Sequence, residues 1–171
     1  MFPLPIRRYT ITCGLLLVPI LAGNAMFLRY LPPAISDAEL WDAIPQPLAL
    51  AENALRVVVF ALPFFLPLQL SSKRQRAGLG LYIFGVLVYS ASWLALIALP
   101  QSSWAASPAG FLAPAYTPTL WLMGLSLIGR EFSWGGSYRP WVYPLFSALF
   151  LAAHVCHASI VYVHNYRGAG A

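Results

Sequence analysis

The three histidines are the residues whose types and spacing most directly suggest chemistry. His154, His157 and His164 all lie in the last apolar stretch, AAHVCHASIVYVHNYR, in the pattern H-x-x-H-x-x-x-x-x-x-H. At about 100° per residue, His157 lies about 60° and His164 about 80° from His154, so all three share one side of a helix. Titratable side chains in line along a membrane helix could form a proton pathway or bind a ligand.

The same helix face also has the pattern of a packing seam. Alternating spacings of four and three residues are a heptad pattern, which faces another helix or an internal cavity. Histidines on such a face could simply be hydrogen-bonded to polar groups of neighbouring helices, and this structural interpretation stays open beside the functional one. The seam consists of Tyr143, Ser147, Phe150, His154, His157, Val161 and His164.

A second polar group lies in AENALR, near the start of another apolar segment. Glu52 and Arg56 have the i, i+4 order that favours a helical ion pair, and Asn53 stands beside Glu52. Charges inside a bilayer are costly unless they are paired. The pattern therefore indicates either a self-neutralising pair whose arginine reaches towards the interface, or a polar pocket that receives a ligand.

The composition identifies the kind of protein that must position these groups. Hydrophobic residues make up 60% of the 171 residues and charged residues 9%, whereas soluble domains have about 25% charged residues. We interpret the chain as an all-α integral membrane protein with a single transmembrane domain over residues 1–171. The net charge of +5 is assigned to membrane topology rather than to nucleic acid, because most basic residues flank apolar segments.

Five apolar segments are each long enough to cross a bilayer, for which about 20 residues are needed. The sequence predicts a bundle of five transmembrane helices, with four as the alternative count, and we interpret the first as a retained helix rather than a cleaved leader. Ser36 and Glu39 form a capping-box pattern after the first segment, which predicts a short interfacial helix there. The predicted spans are residues 9–30, 47–70, 77–99, 108–130 and 140–164.

The loop charges predict an orientation for these five spans. Basic residues concentrate on one side, whereas the other side has only Arg29 and Arg167 beside an acidic stretch. The positive-inside rule then places the N-terminus in the cytoplasm and the C-terminus on the outer side. The basic residues on the cytoplasmic side are Arg7, Arg8, Lys73, Arg74, Arg76, Arg130 and Arg139.

This topology brings the two polar groups to the same depth. His154 falls near the midplane, His157 one turn further out and His164 at the outer interface. Glu52, Arg56 and Asn24, which interrupts the first apolar segment, also fall in the outer half. We therefore predict one polar pocket in the outer half, made by the first, second and fifth helices.

Cofactor chemistry is an alternative use of the last helix. A haem needs an axial ligand opposite a histidine, and outside this stretch only Met26, Met123 or a second subunit could supply one. A copper or zinc site could use His154 and His157, but Cys156 points away from both. We expect no cofactor, and keep haem and copper or zinc as alternatives.

No catalytic motif is present, so we expect a non-enzymatic protein and name no catalytic residue. The main interpretation is a small binding or transport unit with a polar pocket in the membrane. One alternative is a helical accessory subunit of a larger membrane complex, and another is a haem- or metal-binding redox protein. The expected partners are the lipid bilayer, other membrane subunits or further copies of the chain.

Overall fold

The computed structural model of the protein describes residues 11–31, 44–134 and 138–167. Helices make up 79% of this part of the chain and no strand occurs in it, which confirms the all-α class. The predicted interfacial helix with Ser36 and Glu39 lies outside the described residues. Four helices are long and apolar enough to cross a membrane: α1 (Cys13–Tyr30), α2 (Gln46–Phe65), α3 (Lys73–Ala98) and the Val142–Asn165 part of α8 (Val142–Arg167).

The second helix ends earlier than its apolar sequence predicts. Its regular part, Gln46–Ala61, continues as a 3₁₀ turn, Leu62–Phe65, and the backbone becomes extended at Leu66 rather than at residue 70. The extended chain pairs with the start of α1, where the Cys13 amide donates to the Leu66 carbonyl at 2.8 Å. The prolines at 63 and 67 lack the amide hydrogens that a continuing helix would use, which explains the exit.

The third helix begins earlier than predicted, inside the basic sequence SSKRQR. Ser72 accepts a hydrogen bond from the Gln75 amide, and the Gln75 side chain accepts one from the Ser72 amide. This reciprocal capping box satisfies two amides at the helix start. Residues 73–76 are therefore the first turn of α3, whereas the sequence indicated a loop.

The predicted fourth span is helical but broken. It consists of α5 (Pro108–Phe111), α6 (Ala113–Tyr116) and α7 (Pro118–Ile128), preceded by α4 (Ser103–Ala106). Each piece of this broken segment, residues 108–128, has a proline in its first turn, where the missing amide hydrogen costs least. Pro114 and Pro118 cannot donate to the preceding turn, so the segment is not one continuous helix.

The broken segment runs antiparallel to α3 with very close backbone contact. A Cβ atom at Gly85 would lie 2.4 Å from the Trp121 amide nitrogen, and one at Gly124 would lie 2.5 Å from that of Tyr82. Gly78 meets Gly124 and Leu127 in the same way. Small residues allow this close helix approach in membranes. Gly80, which lies between Gly78 and Gly85 in the sequence, has nothing within 4 Å of its Cβ position.

Within the described residues, α1, α2, α3, the broken segment and α8 run along the bundle in alternating directions. We call one end of the bundle the basic end. It contains the start of α1, the end of α2, the start of α3, the end of α7 and the start of α8. Hydrogen bonds join these parts, among them those from Gln75 to the Ile128 carbonyl and from the Ser133 amide to the Phe65 carbonyl. The described basic residues at this end are Lys73, Arg74, Arg76, Arg130 and Arg139.

The last helix places its seam towards the bundle. Tyr143, Ser147 and Phe150 are buried against the rest of the protein, and α8 packs on both α2 and α7. Cys156 is exposed on another face. The residues that follow along the seam, His154 and His157, therefore face protein rather than lipid.

Candidate functional site

Glu52 lies at the centre of a group of charged and polar side chains, although it is only 1% exposed. Its Oε1 atom is 2.9 Å from Nδ1 of His154, and its Oε2 atom is 2.5 Å from Nδ1 of His157. The guanidinium of Arg56 donates a hydrogen bond to Oε1 as well. We call Glu52, Arg56, His154 and His157 the carboxylate cluster.

The helical spacing of residues on α2 and α8 brings the members of this cluster together. Glu52 and Arg56 are one turn apart on α2, and His154 and His157 are one turn apart on α8, so the antiparallel packing of α2 on α8 brings the pairs together. Phe150, a turn earlier on α8, stacks on the His154 ring with centroids 5.3 Å apart. The Arg56 guanidinium lies 6.0 Å from the centre of the Phe150 ring.

The hydrogen bonds restrict the protonation pattern of the cluster. An ionised carboxylate only accepts hydrogen bonds, so Nδ1 carries the hydrogen in both rings when Glu52 is ionised. Each neutral ring then has its lone pair on Nε2, where it can accept a hydrogen bond. Charge-assisted hydrogen bonds to a buried carboxylate are stronger than neutral ones. Glu52 thus fixes the orientation and the tautomer of two imidazoles at once.

The carboxylate cluster forms part of the wall of a cavity of about 640 Å³. Helix α1 packs on α3, the broken segment on α3 and α8, and α8 on α2, so these elements surround the cavity. Its lining is mainly apolar and aromatic. The lining side chains include Ile20, Asn24, Phe27, Glu52, Arg56, Phe60, Tyr89, Trp93, Phe111, Trp121, Phe150, His154, His157 and Val161.

A second polar pair lies on the other side of the cavity. The Tyr89 hydroxyl on α3 donates a hydrogen bond of 2.6 Å to Oδ1 of Asn24 on α1. The contacts place the elements around the cavity in the order α1, α3, broken segment, α8 and α2, so the Asn24–Tyr89 pair on α1 and α3 lies across from the carboxylate cluster on α2 and α8. The cavity therefore has hydrogen-bonding groups on two facing walls and apolar side chains between them.

The exposed side chains of the cavity lining all lie on α1 and α2, which indicates that the cavity opens between these two helices. Helix α1 packs on α2 mainly through its first turn, Cys13–Leu17, at the basic end, and the two helices are less closely packed beyond it. The cavity residues Leu21 and Leu28 on α1 and Val57 on α2 are between 48% and 68% exposed. In a bundle that spans a membrane, an apolar opening on the outer surface would face lipid rather than water.

The structure does not bring all seven predicted site residues together. Glu52, Arg56, His154, His157 and Asn24 line the cavity, with Asn24 on the wall facing the cluster. Two other residues lie away from it. Asn53 accepts a hydrogen bond of 3.2 Å from Arg56 outside the cavity, and His164 is exposed near the end of α8.

Sequence reasoning missed the residues that shape the rest of the cavity. It did not name Tyr89, Trp93 or Trp121 as site residues. Single-residue patterns cannot show which apolar side chains leave space between them. The one available signal was the spacing of Tyr82 and Tyr89, seven residues apart on one face of α3.

The predicted metal and haem sites stay predictions. Among the residues that the structure describes, no three or more His, Cys, Asp or Glu side chains are arranged to hold a metal ion. The Nδ1 atoms of both cluster histidines are in hydrogen-bond contact with Glu52 instead.

Comparison of the chain with protein-family models, with curated proteins and with solved structures gives no match.

Proposed function

We propose that the protein is a small membrane-embedded binding unit whose ligand occupies the cavity beside the carboxylate cluster. One observation carries this proposal: a cavity of about 640 Å³ with a mainly apolar lining contains buried Glu52 and its two imidazole partners. Ligand sites typically combine an apolar lining with a few placed polar groups, and have volumes of about 300–1,000 Å³. A purely structural ion cluster would need no such space next to it.

The position of the buried core favours binding over a continuous passage. Between the cavity and the basic end, the helices meet around Leu17, Leu66, Leu125 and Tyr143, each at most 1% exposed. A ligand in the cavity would therefore meet a packed core rather than a path to the basic end. Transport would require these core side chains to separate.

The proposal includes a membrane topology. The broken segment runs the length of α3 from Thr117, near Ser92, to Ile128, near Gln75, which supports a fifth crossing beside the four long helices. The basic end then faces the cytoplasm, because five described lysines and arginines lie there. The cavity lies in the other half of the bundle, which becomes the outer half, and the C-terminus lies outside.

A pair of alanines on α8 provides the test. Ala158 lines the cavity, whereas Ala152 is exposed on the outside of the same helix. We expect purified wild-type protein and Ala152→Trp to retain a lipophilic molecule at about one per chain, found by solvent extraction and mass spectrometry. Ala158→Trp should lose it while keeping the wild-type helical content.

Two outcomes contradict the proposal. Equal amounts of bound molecule in the two tryptophan variants would show that the cavity is not its site. A visible absorption band or stoichiometric metal, lost in His154→Ala and His157→Ala, would favour the haem- or metal-binding alternative instead.

A further inference from the structure

The geometry points to a ligand of the para-quinone or quinol class, which reaches the cavity from the bilayer through the gap between α1 and α2. This inference rests on the proposed function and names the ligand class for the same cavity. It follows from three features: the two facing polar groups, the aromatic side chains between them, and the lateral apolar opening.

The two facing polar groups suit a ring with one oxygen at each of two opposite positions. Oδ1 of Asn24 accepts a hydrogen bond from the Tyr89 hydroxyl. The amide N–H groups of Asn24 can therefore donate to a carbonyl oxygen of the ligand. On the facing wall, Arg56 supplies N–H donors, and the His154 ring in its neutral form supplies an acceptor at Nε2 for a hydroxyl. The cavity can therefore hydrogen-bond both the carbonyl form and the hydroxyl form of such a ring.

Aromatic side chains lie between these polar groups. Phe27 and Trp93 stack with centroids 6.1 Å apart, and Phe60 meets Trp121 edge to face at 6.2 Å. The His154 ring, stacked on Phe150, extends this surface towards the carboxylate cluster. Flat aromatic walls favour a planar ring, because offset and edge-to-face contacts add to the burial of apolar area.

The lateral opening leaves space for a hydrocarbon tail attached to such a ring. The rim residues Leu21, Leu28 and Val57 are apolar and exposed, so a hydrocarbon tail could extend past them into lipid without crossing polar surface. An anionic lipid headgroup fits less well, since Glu52 already pairs with Arg56. Burial of an additional charge would be costly without a partner, whereas a neutral ring has no such penalty.

Binding of decylubiquinone to the full chain in lipid nanodiscs tests this inference. Because Trp93 and Trp121 line the cavity, bound quinone should quench tryptophan fluorescence with saturation at about one per chain. Material extracted from protein purified from its membrane should show a quinone difference spectrum upon borohydride reduction. A saturable site and a quinone spectrum together support the inference.

Two pairs of variants locate the binding site. Asn24→Leu should weaken binding about tenfold, the usual effect of a lost hydrogen bond in a buried site. Tyr82→Phe, which removes an α3 hydroxyl bonded to Leu16 of α1 outside the cavity, should leave binding unchanged. Val57→Trp at the rim should slow association by tenfold or more, whereas Leu50→Trp, equally exposed on α2 but outside the cavity, should not.

The failures of the two proposals can be distinguished. A stoichiometric lipid other than a quinone, lost in Ala158→Trp, overturns the quinone inference and leaves the proposed function in place. If wild-type protein holds no molecule and decylubiquinone does not bind, both proposals are wrong. Equal slowing by Val57→Trp and Leu50→Trp would overturn the lateral route.

Discussion

The α3–α7 interface and the α2–α8 interface hold the bundle together in opposite ways. At the first, glycines bring the backbones so close that a single added carbon at Gly85 or Gly124 would collide with the other helix. At the second, the contact includes an ionised side chain, two imidazoles and a cavity. The contrast indicates that close backbone packing stabilises the first interface, whereas the second contains a buried charge whose desolvation is unfavourable.

This difference separates residues that maintain the fold from residues that are available to a ligand. A buried carboxylate with its partners is weak evidence for stability, because desolvation offsets much of the attraction. Glycine contacts leave no space for a ligand and no group to bind one. Variants of the two interfaces should therefore differ in how far unfolding and ligand binding change together.

Gly124→Leu should have the largest effect. Its side chain would overlap the Tyr82 backbone, and overpacking of this kind typically costs 1–3 kcal/mol, with a full leucine expected at about 3 or more. We expect loss of stability and of ligand binding together, measured by thermal unfolding in detergent. Gly80→Leu is the matched control and should keep wild-type stability, since nothing lies within 4 Å of that position.

Glu52→Gln should have the next largest effect. A glutamine cannot accept charge-assisted hydrogen bonds from both imidazoles and Arg56, so we expect about 1–3 kcal/mol of lost stability and strongly reduced ligand binding. In a double-mutant cycle with His157→Gln, the two losses should be less than additive, because both variants remove one shared contact. Additive losses would show that Glu52 and His157 act independently.

Two tyrosines on α3 offer a smaller and sharper comparison. Tyr82 and Tyr89 are both buried, and each donates a hydrogen bond to α1, but only Tyr89 lines the cavity. We expect each Phe variant to lose about 1 kcal/mol of stability. Only Tyr89→Phe should alter the ligand affinity, measured by fluorescence titration, because it releases Asn24 from its partner. Equal ligand affinity of the two Phe variants would show that Asn24 is not part of the binding site.

His164→Gln should have the smallest effect. The side chain is exposed and lies outside the cavity, so stability should change by no more than about 0.5 kcal/mol, with unchanged ligand binding. His157→Gln, two seam positions closer to the bundle interior, should lower both. If His164→Gln impaired binding as much as His157→Gln, all three histidines would belong to one pathway, as their spacing first suggested.

The sequence predicted the apolar segments and the helical class, because composition and segment length depend on residues close together in the chain. It also nominated Glu52 and Arg56 as neighbours of the last-helix histidines. The helix ends were harder to predict: Pro63 and Pro67 explain the exit at Leu66, but the extended chain that follows pairs with Cys13, a residue distant in sequence. The seam pattern on α8 did not separate His164 from the other two histidines, although its predicted depth already placed it at the outer interface.

The broken segment has a consequence for how the protein enters its membrane. Its prolines interrupt the backbone hydrogen bonding that lets a helix insert by itself, and freed carbonyls are tolerated only where neighbouring groups satisfy them. Helix α3 directly precedes it and supplies a glycine-lined groove. Under the proposed five crossings, the two would insert as a hairpin, with α3 as the guide. A larger residue at Gly85 would then impair membrane insertion of this hairpin, before any ligand is bound. Its effect on the folded protein would come second.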